Sequence, residues 1–119
     1  FKNCFMRDEL SNKIQSSCEC FVYNTDPKDG SGTHWTCVYI NNDTCYYFDC
    51  YGFPPTQEFL EYVESIKNRY FNSFKIQSSE EIICGHYCVY VLYCLHNNQS
   101  FYDILDELYK HSIKRKSFK

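Results

Sequence analysis

A thiol, an imidazole, a carboxylate and a side-chain amide stand in this 119-residue chain at spacings that suit nucleophilic chemistry: Cys84, His34, Asp49 and Gln77. Cys84 lies in "IQSSEEIICGHYC", where "SSEE" reads as a helix start and an apolar run follows. A cysteine in the first helical turn feels the positive end of the helix dipole, which lowers its pKa and favours the thiolate. Gly85 has no side chain, so a bound backbone could come close there. The other cysteines lack this setting. Cys37, Cys45 and Cys50 fall in strand patterns, and Cys88 and Cys94 fall inside the apolar run.

His34 heads one strand pattern and Asp49 closes the next. With Asn41-Asn42 as a two-residue turn, Ile40 pairs with Asp43 and His34 pairs with Asp49. Any even-length loop keeps the two on one face, and an odd one separates them. An imidazole beside a carboxylate is held in one tautomer and stabilised when protonated. Gln77, seven residues before Cys84, offers an amide donor for a developing oxyanion, beside the backbone N–H of Cys84. Taken singly, each has a plainer reading: a structural strand histidine, a surface ion pair, a surface glutamine. Two rival readings share these residues. Zinc would use Cys84, His86 and Cys88, completed by Cys18-x-Cys20. Structural zinc sites favour Cys pairs in turns, however, whereas Cys84 and Cys88 are a helical turn apart with His86 pointing away. A Cys45–Cys50 disulfide would need an oxidising compartment. The reading therefore assigns no metal ligand and no cofactor.

The elements that must position these groups follow from pattern. Cys4 to Leu10 has weak helical character. "CECFVYN" (18–24) reads as a strand and "TDPKDGSG" (25–32) as a loop. "THWTCVYI" (33–40) and "TCYYFDC" (44–50) are strands rich in aromatic and β-branched residues. Thr56 is an N-cap for an amphipathic helix carrying Phe59, Val63, Ile66 and Tyr70. "FKIQ" (74–77) is a short strand. Cys84 to His96 is apolar nearly all round, as a buried central helix would be. "HNNQ" ends it, and Phe101, Ile104, Leu105 and Leu108 mark a last amphipathic helix. The class is α+β, a small and mostly antiparallel sheet packed with helices, with Cys84 at the N-terminus of the central one.

The length suits one domain, residues 1–119. The chain opens at Phe1 without a methionine and is read as a fragment or processed piece. Hydrophobic residues make up 44% and aromatics 19%, ample for a core. No run approaches the roughly 18 consecutive apolar residues of a membrane helix. Nine cysteines, several in apolar runs and with no signal segment, point to a reducing, intracellular compartment. The net charge of −3 gives no overall pull on nucleic acid. The basic tail "KHSIKRKSFK" (110–119) reads first as a solvated, frayed terminus, and second as a nucleic-acid or partner contact.

In order, "GTHWTCVYI", "YYFDCYGFPP" and "IQSSEEIICGHYC" resemble the adenovirus-type cysteine endopeptidases, nearest the versions carried by Maverick/Polinton transposons and related large DNA viruses. The wider clan includes proteases that mature and remove ubiquitin-like modifiers. The match spans about Cys20 to Leu95, and the chain order His, acid, Gln, Cys is shared across the clan. The resemblance implies His34 as general base, Asp49 as its orienter, Gln77 as oxyanion donor and Cys84 as nucleophile, with Trp35 lining the substrate cleft. It implies viral or transposon structural and precursor proteins as substrates, cut near small residues, in host cytoplasm or nucleus or in a virion. The alternatives are a deconjugating protease for a ubiquitin-like modifier, and an inactive or zinc-binding module on the same scaffold. The chain is much shorter than the adenoviral enzymes. Those are stimulated by a peptide and by DNA, and no residue here matches the contacts, so neither activator is carried over.

Overall fold

The computed structural model describes residues 4–5, 18–24, 35–73 and 81–117, with 4–5, 81–85 and 111–117 described as backbone only. The described strands are β1 (Cys4–Phe5), β2 (Cys18–Asn24), β3 (Trp35–Asn41), β4 (Thr44–Asp49) and β5 (Asn68–Phe71). The helices are α1 (Gln57–Tyr62), α2 (Glu81–His96) and α3 (Phe101–Ser117). The strands form one sheet in the order β1-β2-β3-β4-β5. The two long ladders, β2–β3 and β3–β4, are antiparallel, and the two short outer pairs are parallel. The α+β class and the mostly antiparallel sheet are as the sequence predicts.

Both sheet faces are covered, because alternate residues of every central strand are apolar in each phase. One face carries Cys37, Tyr39 and Phe48 against Tyr87, Cys88, Val91 and Leu95 of α2 and Phe101, Ile104, Leu105 and Leu108 of α3. The other carries Phe21, Tyr23, Val38, Ile40, Cys45 and Tyr47 against Phe59, Tyr62, Val63 and Ile66. On that second face the Tyr47 and Phe59 rings pack with centroids 4.7 Å apart. Burying each such side chain fully contributes about 1.5–3 kcal/mol, which is what holds a helix as short as α1 in place.

Four local expectations are corrected. Cys4 and Phe5 form a strand paired with Val22 and Tyr23, not a helix start. The helix after Thr56 ends at Tyr62 with Val63 as C-cap, and Tyr70 lies on β5, where it pairs with Tyr46. Tyr70 and Tyr46 stack at 5.5 Å. The open edge of β4 supplies ladder hydrogen bonds that outweigh the helical periodicity of the sequence. α2 is central but not enclosed, since Val89 and Tyr93 are 63% and 68% exposed on the side away from the sheet. The basic run continues α3 as helical backbone to Ser117 rather than fraying from Lys110. The expected 74–77 strand and 25–32 loop lie outside the described residues.

The chain leaves α2 as "HNNQ" predicts. Asn98 takes the left-handed region at φ 64°, its N–H returns to the Leu95 carbonyl, and the Gln99 N–H returns to that of Cys94. This pairing satisfies the last helical carbonyls.

Candidate active site

The β3–β4 hairpin turns at Asn42-Asp43, with Asn41 opposite Thr44 and Asn42 in the left-handed region at φ 53°. The expected turn at Asn41-Asn42 is therefore off by one position, and the register by two. Asp49 faces Thr36 rather than residue 34. The loop is still two residues long, so even-numbered residues of β3 share a face with odd-numbered residues of β4, as the parity argument requires. His34, the residue before β3, and Gln77 lie outside the described residues.

Asp49 is 1% exposed and is held by its backbone and by one carboxylate oxygen. The Tyr51 N–H donates to Asp49 Oδ1 at 2.7 Å, an Asx turn, and the Gly52 N–H donates to the Asp49 carbonyl at 2.9 Å. Gly52 has φ 69°, which suits a residue without Cβ and explains the glycine in "DCYG". Asn72, 4% exposed at the end of β5, adds two bonds that the sequence reading missed. Its Oδ1 accepts from the Asp49 N–H at 2.8 Å, and its Nδ2 donates to the Asp49 carbonyl at 2.5 Å. Opposite, the buried Thr36 donates its hydroxyl to the Tyr23 carbonyl at 2.7 Å, fixing β3 to β2 at the same sheet end.

Trp35 opens β3 and lies on the α2 face, partly buried against that core. Cys84 and Gly85 fall at the fourth and fifth positions of α2, so the Cys84 backbone lies in the first turn as predicted. One contact ties this turn to the strand end. The Cys88 thiol, one turn beyond Cys84, donates to the Trp35 carbonyl at 3.7 Å. The start of α2, the start of β3 and the end of β4 thus meet at one end of the sheet.

The rival residues are dispersed. Cys18 pairs with Asn41 at the opposite end of β3 from Trp35, and six residues of strand span roughly 20 Å. His86 is exposed while Cys88 is buried, so they point apart. Among the described residues no group of three or more His, Cys, Asp or Glu is placed to hold a metal. Cys45 belongs to the α1-side core and Cys50 to the α2-side core, so the sheet separates that pair.

Comparison with protein-family models and with curated proteins gave no match. The class this architecture defines, a mixed sheet with a central helix seated on its antiparallel centre, does recur among solved structures. The chain is similar to the ASFV pS273R protease, in a crystal structure of its selenomethionine form with 23% identity and a TM-score of 0.58, over 76% of this chain and 42% of that one. A second crystal structure of the same protease gives 21% identity and a TM-score of 0.58, over 79% and 41%. The likeness is one of fold, and the chain spans about two-fifths of the length of the protease it matches.

Proposed function

We propose that this protein is a thiol endopeptidase in which Cys84 is the nucleophile, His34 the general base, Asp49 its orienter and Gln77 an oxyanion donor. The observation that carries the reading is the Cys88–Trp35 contact. It ties α2, one turn beyond Cys84, to the first residue of β3, at the sheet end where β4 closes on the buried Asp49, and the fold likeness to a viral protease supports the same reading. In this reading the Cys84 thiolate attacks the scissile carbonyl carbon. The oxyanion takes hydrogen bonds from Gln77 and the Cys84 N–H, each worth about 3 kcal/mol in comparable sites. As the C–N bond breaks, the His34 imidazolium gives its proton to the leaving amine. Water, deprotonated by His34, then hydrolyses the thioester. Trp35 and Gly85 flank the bound substrate backbone.

The proposed substrates are viral or transposon structural and precursor proteins, in line with the motif resemblance to the Maverick/Polinton and adenoviral enzymes. The proposed setting is a reducing, intracellular one. In support, Cys37, Cys45, Cys50, Cys88 and Cys94 are buried among apolar side chains, where a cysteine serves as a small core hydrophobe.

The test is site-resolved alkylation with iodoacetamide near pH 6, where an ordinary thiol is mostly protonated. Cys84 is expected to react fastest, His34→Ala to slow it, and Cys84→Ala to abolish cleavage of glycine-containing peptides. A Cys84 no faster than its neighbours, or one shielded until a chelator is added, would remove the protease reading. Cleavage confined to ubiquitin-like fusions would keep the chemistry and move the substrate class to deconjugation.

A further inference from the structure

We propose that Asn72 is a positioning residue for the Asp49 carboxylate. This inference rests on the role given to Asp49 above. β4 and β5 run parallel through Thr44 opposite Asn68 to Tyr47 opposite Phe71, and the backbone ladder then stops. Asp49 lies two residues beyond that point, at the strand end, with both its backbone groups turned to the β5 side. A buried N–H and C=O left without partners would be costly. The Asn72 side chain answers both, accepting from one and donating to the other, as a neighbouring strand's peptide would. One short side chain thereby extends the sheet by a residue pair where no described strand continues the ladder.

The consequence is directional. The Asp49 carbonyl accepts from Asn72 Nδ2 and from the Gly52 N–H, and its carboxylate accepts from the Tyr51 N–H. Backbone and side chain are thus fixed from two sides by groups 2 to 23 residues away in sequence. Alanine at position 72 removes one side of this frame while leaving the carboxylate chemically intact. An orienting carboxylate that can swing supports an imidazolium less well. Asn72 thus acts on the thiolate–imidazolium pair through Asp49 and without touching substrate.

The experiment is the pH profile of Cys84 alkylation by iodoacetamide in the full chain. Asn72→Ala is expected to lower the rate about tenfold near pH 6 and to converge with the parent above about pH 9, where thiols ionise unaided. Asp49→Asn should give the same shape, and the double variant should be no slower than Asp49→Asn alone, because the two act in series. A loss of rate that is equal at every pH is what a purely structural role would produce. That result, or a parent-like profile in Asn72→Ala while Asp49→Asn shifts, overturns the proposal. An unshifted Asp49→Asn profile removes the Asp49 assignment itself, and this inference with it. Asn72→Ser, which keeps a small polar group in the same space, supplies the comparison if the alanine variant does not fold. A parent-like profile there is equally decisive against it.

Discussion

Cys45 shows what burial does to a thiol. Burial pushes the Cys45 thiol up to about 12, with the Arg69 charge pulling weakly the other way. The unfolded chain gives up this proton near its ordinary value of 9.0 while the folded chain keeps it. The stability this contributes is full below about pH 9 and is lost progressively as pH rises toward 12. Cys45→Val is therefore expected to show a shallower fall in urea-unfolding stability between about pH 8 and about pH 10 than the parent. An unchanged slope would show that Cys45 ionises as easily in the folded chain as in the unfolded one. That Cys45 is a core residue is legible in the sequence, because it sits in an alternating strand pattern. Asn72 is not legible. An asparagine after a strand reads as a turn residue, and its partner Asp49 is 23 residues away in sequence.

Among the elements, α1 is legible at its start and illegible at its end. Thr56 has the expected cap geometry, accepting from the Phe59 N–H at 3.2 Å. It also shares a 2.7 Å hydroxyl bond with Tyr23, which pins the helix start to the sheet. Thr56→Ala is expected to cost about 1–2 kcal/mol by urea unfolding, at or above an ordinary cap loss because the bond to the Tyr23 hydroxyl goes with it. A change below about 0.3 kcal/mol would mean that α1 is held by its buried face alone. The end is tethered similarly, the Tyr62 hydroxyl donating to the buried Glu19 carboxylate on β2. What misleads is that Val63 and Ile66 are buried at helical spacing although the helix has ended. The i, i+3 pattern of a turn and of a helix are the same over so short a span. The hairpin is the opposite case. Its register is misread by two, yet among the described residues of β3 and β4 the parity is kept, since a shift of two leaves side-chain direction unchanged.

At the scale of the molecule, the sheet separates two tasks. Its α2 face seats the helix whose first turn holds Cys84, and its α1 face receives an excursion that leaves at Cys50 and rejoins the sheet at Asn68, where β5 begins opposite Thr44. β5 then runs beside β4, and the ends of these two strands are joined by Asn72 and Asp49, so the excursion and β5 together form a loop closed at its neck. Closure changes what chain length means there. Residues added between the exposed Phe53 and Pro54 lengthen a path whose ends are already fixed, at a cost that grows only with the logarithm of length. An insertion of about four Gly/Ser residues at that point is expected to lower stability by less than about 1 kcal/mol. It should also leave the alkylation profile of Cys84 unchanged, whereas the same insertion in a parent carrying Asn72→Ala should disturb it. The distance along the chain from Asp49 to Asn72 is then free to drift while the distance in space is not, which makes this excursion a place where the fold can grow without moving the Asp49–Asn72 pair.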